Sequence, residues 1–127
     1  MFIGVEHAAI AAIDSRNLAK WYRDIFSFRT VYDSKIEPPT YLIKAPDGTM
    51  LEIMPADSGE AAEYNVRQAG LRHLAFTVSD FDEAKSFLEN KGIVLFDYRV
   101  VDGSKLVSFR DPEGTILHLM WRPQPLD

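Results

Sequence analysis

Three histidines and one glutamate stand out in this chain as residues able to do chemistry: His7, Glu52, His73 and His118. There is no further histidine and no cysteine. Thiolate zinc sites, disulfide frameworks and cysteine nucleophiles are therefore excluded. Neutral imidazole and carboxylate are ordinary ligands of Zn, Ni, Co, Mn and Fe. The set points to one divalent metal ion whose identity the residue types leave open. Glu52 is the sole carboxylate in the set, which makes it the candidate catalytic base.

Spacing ties the four together. Val5-Glu6-His7-Ala8-Ala9-Ile10 returns as Leu71-Arg72-His73-Leu74-Ala75-Phe76, and Asp47-Gly48-Thr49-Met50-Leu51-Glu52 returns as Glu113-Gly114-Thr115-Ile116-Leu117-His118. His7 and His73, Asp14 and Asp80, Gly48 and Gly114, and Glu52 and His118 are each 66 residues apart. A lone strand histidine is more often a hydrogen-bonded core residue than a ligand, and a mid-strand glutamate more often faces solvent. One repeat that accounts for all four positions shifts the balance toward a metal site.

The elements that must position these residues read the same way in each half, as β-α-β-β-β. Alternating strands are predicted at 3–12 and 71–79. Each is followed by an acidic or hydroxyl cap, Asp14-Ser15 and Ser79-Asp80, and Asp80 with Glu83 forms a capping-box pattern. Helices follow with apolar stripes Leu18, Trp21, Tyr22, Ile25 and Phe81, Ala84, Phe87, Leu88, the second stopping near Gly92. Shorter strands are predicted at 28–34, 40–45 and 49–55, then at 94–100, 104–110 and 115–121, separated by Pro38-Pro39, Pro46-Asp47-Gly48, Asp102-Gly103 and Asp111-Pro112-Glu113-Gly114. The fold class is α+β: a first module over 1–55, a polar linker over 56–70 with room for a short helical turn, and a second module over 71–127, together one compact domain.

Successive strand residues point to opposite faces. His7 shares its face with Ala9 and Ala11, Glu52 with Met50 and Met54, His73 with Ala75 and Thr77, and His118 with Ile116 and Met120. The opposite faces carry Leu51, Ile53, Leu74, Phe76, Leu117 and Leu119, bulk suited to packing under helices. Bulk on one face and titratable groups on the other describe a curved sheet with a pocket on its concave side.

Composition narrows the partners. The chain has 127 residues, a net charge of −5 and a pI near 5.1, with no basic run, so a nucleic-acid partner is not expected. No apolar run approaches the roughly 20 residues of a membrane helix, and the first residues lack a signal-peptide pattern. A cytoplasmic protein is expected, and the absence of cysteine fits a reducing compartment.

On His7 through Asp14, Trp21-Tyr22-Arg23-Asp24 before Phe28, Asp47-Gly48 to Glu52, His73 through Asp80, and Asp111-Pro112-Glu113-Gly114 to His118, nearly the whole chain resembles the vicinal oxygen chelate superfamily of glyoxalase I, bleomycin-resistance proteins and extradiol dioxygenases. The resemblance implies two βαβββ modules forming a cupped mixed sheet around a metal, in many members within a homodimer, and a small-molecule substrate. It implies metal ligation by His7, Glu52 and His73. At the fourth position the family usually has glutamate and this chain has His118. The implied activity is that of a glyoxalase-like, metal-dependent lyase or isomerase acting through vicinal oxygen chelation. The alternatives are an Fe(II)-dependent dioxygenase-type enzyme and a bleomycin-resistance-like binding protein. Arg72, Arg99, Arg110 and Arg122 are candidates for an anionic group, though solvated surface charge is the plainer reading. Tyr41, Tyr64 and Phe109 are candidates for a pocket wall or for core.

Overall fold

Turn chemistry and caps decide where each element begins. A computed structural model of the chain describes residues 1–60 and 65–127. The chain divides into two compact units, Met1–Ala62 and Glu63–Asp127. The first holds β1 (His7–Ala12), α1 (Ser15–Phe26), β2 (Arg29–Asp33), β3 (Tyr41–Lys44) and β4 (Met50–Pro55); the second holds β5 (His73–Thr77), α2 (Phe81–Asn90), β6 (Phe96–Val101), β7 (Ser104–Arg110) and β8 (Ile116–Trp121). Each unit is thus the expected βαβββ module. No helix among the described residues is long and apolar enough to cross a membrane.

Both helices start on an aspartate. Asp14 accepts from the Asn17 N–H at 3.0 Å, and Asp80 from the Glu83 N–H at 3.0 Å. Each satisfies a donor that the first helical turn leaves orphaned. In α1 a further tie forms, because the buried Ser15 hydroxyl donates to the Pro39 carbonyl at 2.6 Å. The hairpins into β4 and β8 turn on Gly48 (φ 93°) and Gly114 (φ 96°), a conformation that glycine adopts without a Cβ penalty. The Gly48 N–H donates to the Ala45 carbonyl and the Gly114 N–H to the Asp111 carbonyl, each at 3.0 Å. Glu52 and His118 follow four residues after these glycines, so the turns set where on the strand they emerge.

Each unit has a four-stranded mixed sheet, ordered β1-β4-β3-β2 and β5-β8-β7-β6. β1 runs parallel to β4 with His7 opposite Met50, and β5 parallel to β8 with His73 opposite Ile116. β3 pairs with β4 so that Leu42 lies opposite Glu52; β7 pairs with β8 so that Ser108 lies opposite His118. Every one of these pairs maps onto its counterpart at the offset of 66. The outer strands break that symmetry. The irregularity starts at equivalent residues, Thr30 in β2 and Phe96 in β6, but pairing resumes at Tyr32 in one and only at Arg99 in the other.

The helix packs on the bulky side of each sheet. In the first unit Leu18, Ala19 and Tyr22 of α1 are buried with Ala12, Ile43, Leu51 and Ile53, and α1 lies against β1, β3 and β4. In the second, Phe81 and Leu88 are buried with Val107, Phe109, Leu117 and Leu119, and α2 lies against β8. Burying side chains of this size contributes roughly 1.5–3 kcal/mol each.

Some expectations need correction. The first strand begins at His7 rather than residue 3, leaving Phe2, Ile3 and Val5 exposed. Phe87, assigned to the buried stripe of α2, is 40% exposed, with Lys91 over its ring. Tyr41 and Phe109 are buried on the helix side and belong to the core. Tyr64, and part of the segment expected to hold a short helical turn, lie outside the described residues; residues 56–60 and 65–70 form bends and turns.

Candidate functional site

Residues paired across neighbouring strands point the same way. Register therefore assigns the four candidate residues to the face of each sheet that the helix leaves open. In the first unit Glu52 lies opposite Ala9, the neighbour of His7 two residues along the same face. Glu52 is half-buried, and no hydrogen bond or ion pair to its carboxylate is found among the described residues. His7 is held by its neighbour: Nδ1 lies 2.9 Å from Glu6 Oε1. A carboxylate only accepts, so Nδ1 carries the proton, and in a neutral ring the lone pair is then on Nε2. A carboxylate that fixes the tautomer in this way is the usual companion of a metal-binding imidazole.

In the second unit His118 lies opposite Ala75 on β5, two residues from His73. The two imidazoles stack, with ring centroids 3.8 Å apart and planes 17° from parallel. Ser108, small and buried, lies opposite His118 on the other side, where the first unit has Leu42 opposite Glu52. Burial pushes the His118 pKa below its ordinary value; His73 and Arg99 push it further down, and Asp97 opposes them. His118 is accordingly held as the neutral imidazole, the form that binds metal.

The structure brings His73 and His118 into direct contact and sets His7 and Glu52 diagonally on one face. Among the described residues no group of three or more His, Asp or Glu side chains is close enough to hold an ion. Each unit supplies two donors. Their chemistry fits a divalent metal: a stacked histidine pair, a tautomer-fixed histidine, and a carboxylate with no competing partner among the described residues. An imidazole lone pair lies in its ring plane, and two planes stacked 17° from parallel do not direct theirs to one point, so joint ligation requires a ring to turn, as the broad χ2 torsion allows. Sequence reasoning missed Ser108 and Asp97 as neighbours of His118. The signal was there in the alternation along β7 for Ser108, whereas the break in β6 near Asp97 gave none.

The comparisons agree with this architecture. Residues 4–119 match the model of the Glyoxalase/Bleomycin resistance protein/Dioxygenase superfamily. Among solved structures, the chain is similar to a glyoxalase family protein from Enterococcus faecalis at 30% identity and a TM-score of 0.79, covering 94% of this chain and 98% of that one. It is similar to a lactoylglutathione lyase from Agrobacterium tumefaciens at 24% identity and a TM-score of 0.73, covering 93% and 92%. A mutant of the fosfomycin resistance protein FosX from Listeria monocytogenes, complexed with Mn(II) and 1S,2S-dihydroxypropylphosphonic acid, shares the fold at 20% identity and a TM-score of 0.76, covering 99% and 96%. No curated protein sequence matches. With two modules that keep one register and a family match running across both of them, the chain belongs to the glyoxalase/bleomycin resistance protein/dioxygenase superfamily.

Proposed function

We propose that this protein is a metal-dependent lyase or isomerase in which His7, Glu52, His73 and His118 hold one divalent ion and a small substrate is bound through vicinal oxygens. The observation that carries the reading is the pair of histidines on the open face of the second unit, one of them held neutral, at positions that repeat the His7 and Glu52 of the first. Relatives support the metal: a protein of the same fold is known with Mn(II). When bound, a divalent cation supplies Lewis-acid stabilisation of the negative charge that develops on substrate oxygen.

The chain's own residues do the rest. His7, fixed by Glu6, presents Nε2. His73 presents its imidazole beside that of His118, which is held neutral. Glu52 takes the substrate proton, being the one carboxylate of the set. Histidine at position 118 removes one negative charge compared with the usual family glutamate, which leaves the site more attractive to an anionic, enolate-like species. It also leaves the dioxygenase reading without the carboxylate it needs on β8. The edges β1, β2, β5 and β6 need covering, which supports a homodimer; light scattering that gives a monomer near 14.4 kDa contradicts it.

The test is elemental analysis joined to a screen of 2-oxoaldehyde–thiol adducts, acyl-CoAs and catechols. Turnover that is lost on chelation, restored by metal, and abolished by Glu52→Gln supports the proposal. Turnover indifferent to chelation contradicts it.

A further inference from the structure

We propose that Arg99 determines specificity on the open face of the second unit, taking the oxyanion group of a small anionic substrate beside the His73–His118 pair. This deepens the reading above and rests on it for the role of substrate, whereas the anion contact itself needs no metal.

Four arginines were candidates for an anionic group, and the structure separates them. Arg72 donates to the Asn65 carbonyl at 3.2 Å. Arg110 donates to the Gly114 carbonyl at 3.0 Å and lies over the Phe96 ring. Arg122 reaches the Ser104 hydroxyl at 3.4 Å. Each is engaged within its own unit. Arg99 has no hydrogen bond or ion pair among the described residues.

Register then places Arg99. It lies opposite Leu106, which lies opposite Met120, two residues along β8 from His118. Paired residues share a face, so Arg99, Leu106, Met120 and His118 line the same side of the sheet. Arg99 is near enough to act electrostatically on His118, and its influence there exceeds that of Asp97, the acidic residue closest to it in sequence. An exposed guanidinium presents a planar fork of donors that matches an oxyanion in two-point geometry. The apolar Leu106 and Met120 between Arg99 and the histidines would take the carbon skeleton of a substrate whose charged end lies on the arginine.

The experiment follows the His118 ring and Arg99 side-chain resonances by NMR in chelator-treated protein titrated with lactate, inorganic phosphate and neutral propane-1,2-diol. Wild type should show saturable shifts with at least one anion. Arg99→Gln should weaken that binding about tenfold or more, the worth of one charged hydrogen bond. Arg99→Lys should restore part of it, and Arg122→Gln should change nothing. Preference for lactate assigns a carboxylate, and preference for phosphate a phosphate-type group. Equal anion affinity in wild type and Arg99→Gln overturns the proposal. Zinc binding, measured separately by calorimetry, distinguishes the two readings. Arg99-dependent anion binding without zinc binding overturns the metal site alone, and zinc binding without it overturns the anion site alone.

Discussion

Glu52 and His118 occupy the same place on the same strand of two repeated modules, each opposite a small alanine on the parallel neighbour. One is a carboxylate with Leu42 beside it, the other an imidazole stacked on His73 with Ser108 beside it. The scaffold on which they stand is shared down to the residue: caps at Asp14 and Asp80, turns at Gly48 and Gly114, and identical register through three strands. The lesson is that the backbone was kept where it aims the donors, and the donors themselves were free to diverge. The modules part company at the outer strands, where irregularities that start at equivalent residues leave different pairings: Asp33 lies opposite Tyr41, whereas Arg99, its equivalent by the repeat, lies opposite Leu106.

The comparison is broken most forcefully in the core. Ile43 and Phe109 are equivalent by the repeat, and both are fully buried. Replacing Phe109 by Ala should destabilise by about 3–5 kcal/mol and Ile43→Ala by about 2–5 kcal/mol, the difference following the volume removed. Urea denaturation of the two variants side by side measures it.

A smaller effect sharpens the same comparison. Asp14→Ala and Asp80→Ala each remove an N-cap and should each cost about 0.5–2 kcal/mol, read as a shift of the urea midpoint. The α1 start should hold its structure better, because Ser15 still anchors it to Pro39. Equal loss of amide protection in the two helices would show that this extra tie is immaterial.

The smallest effect distinguishes the two open faces by pH. The folded protein holds His118 neutral more strongly than the unfolded chain does. In the histidine range the unfolded state therefore binds more protons, so stability rises with pH there. In metal-free protein, stability should fall as pH drops below the ordinary histidine value of about 6.5. His118→Gln should flatten the profile. An unaltered profile in that variant would place the pH dependence elsewhere.

Much of this was legible in the sequence, because period-2 alternation, cap residues and turn glycines are local signals. The offset of 66 turned weak local readings into one strong one, and it placed all eight strands and both helices. The ends of elements were less legible. Nothing in Phe2 to Val5 shows that the apolar run has no partner strand before His7. Phe87 fits a helical stripe by spacing, yet it lies 40% exposed with Lys91 over its ring. Of the site, residue types and faces were readable, while the stacking of His73 on His118 and the influence of Arg99 depend on register across strands, which spacing along the chain does not carry.

The most direct test of the metal site is X-ray absorption spectroscopy of the metal-loaded protein, with metal content measured in parallel on wild type and His118→Ala. The account predicts one ion per chain, a first shell of three imidazole nitrogens and at least one carboxylate oxygen at about 2.0–2.2 Å, and an affinity in His118→Ala reduced by more than the 10–100-fold that loss of an outer-shell partner costs. Full metal content and an unchanged first shell in His118→Ala would contradict it.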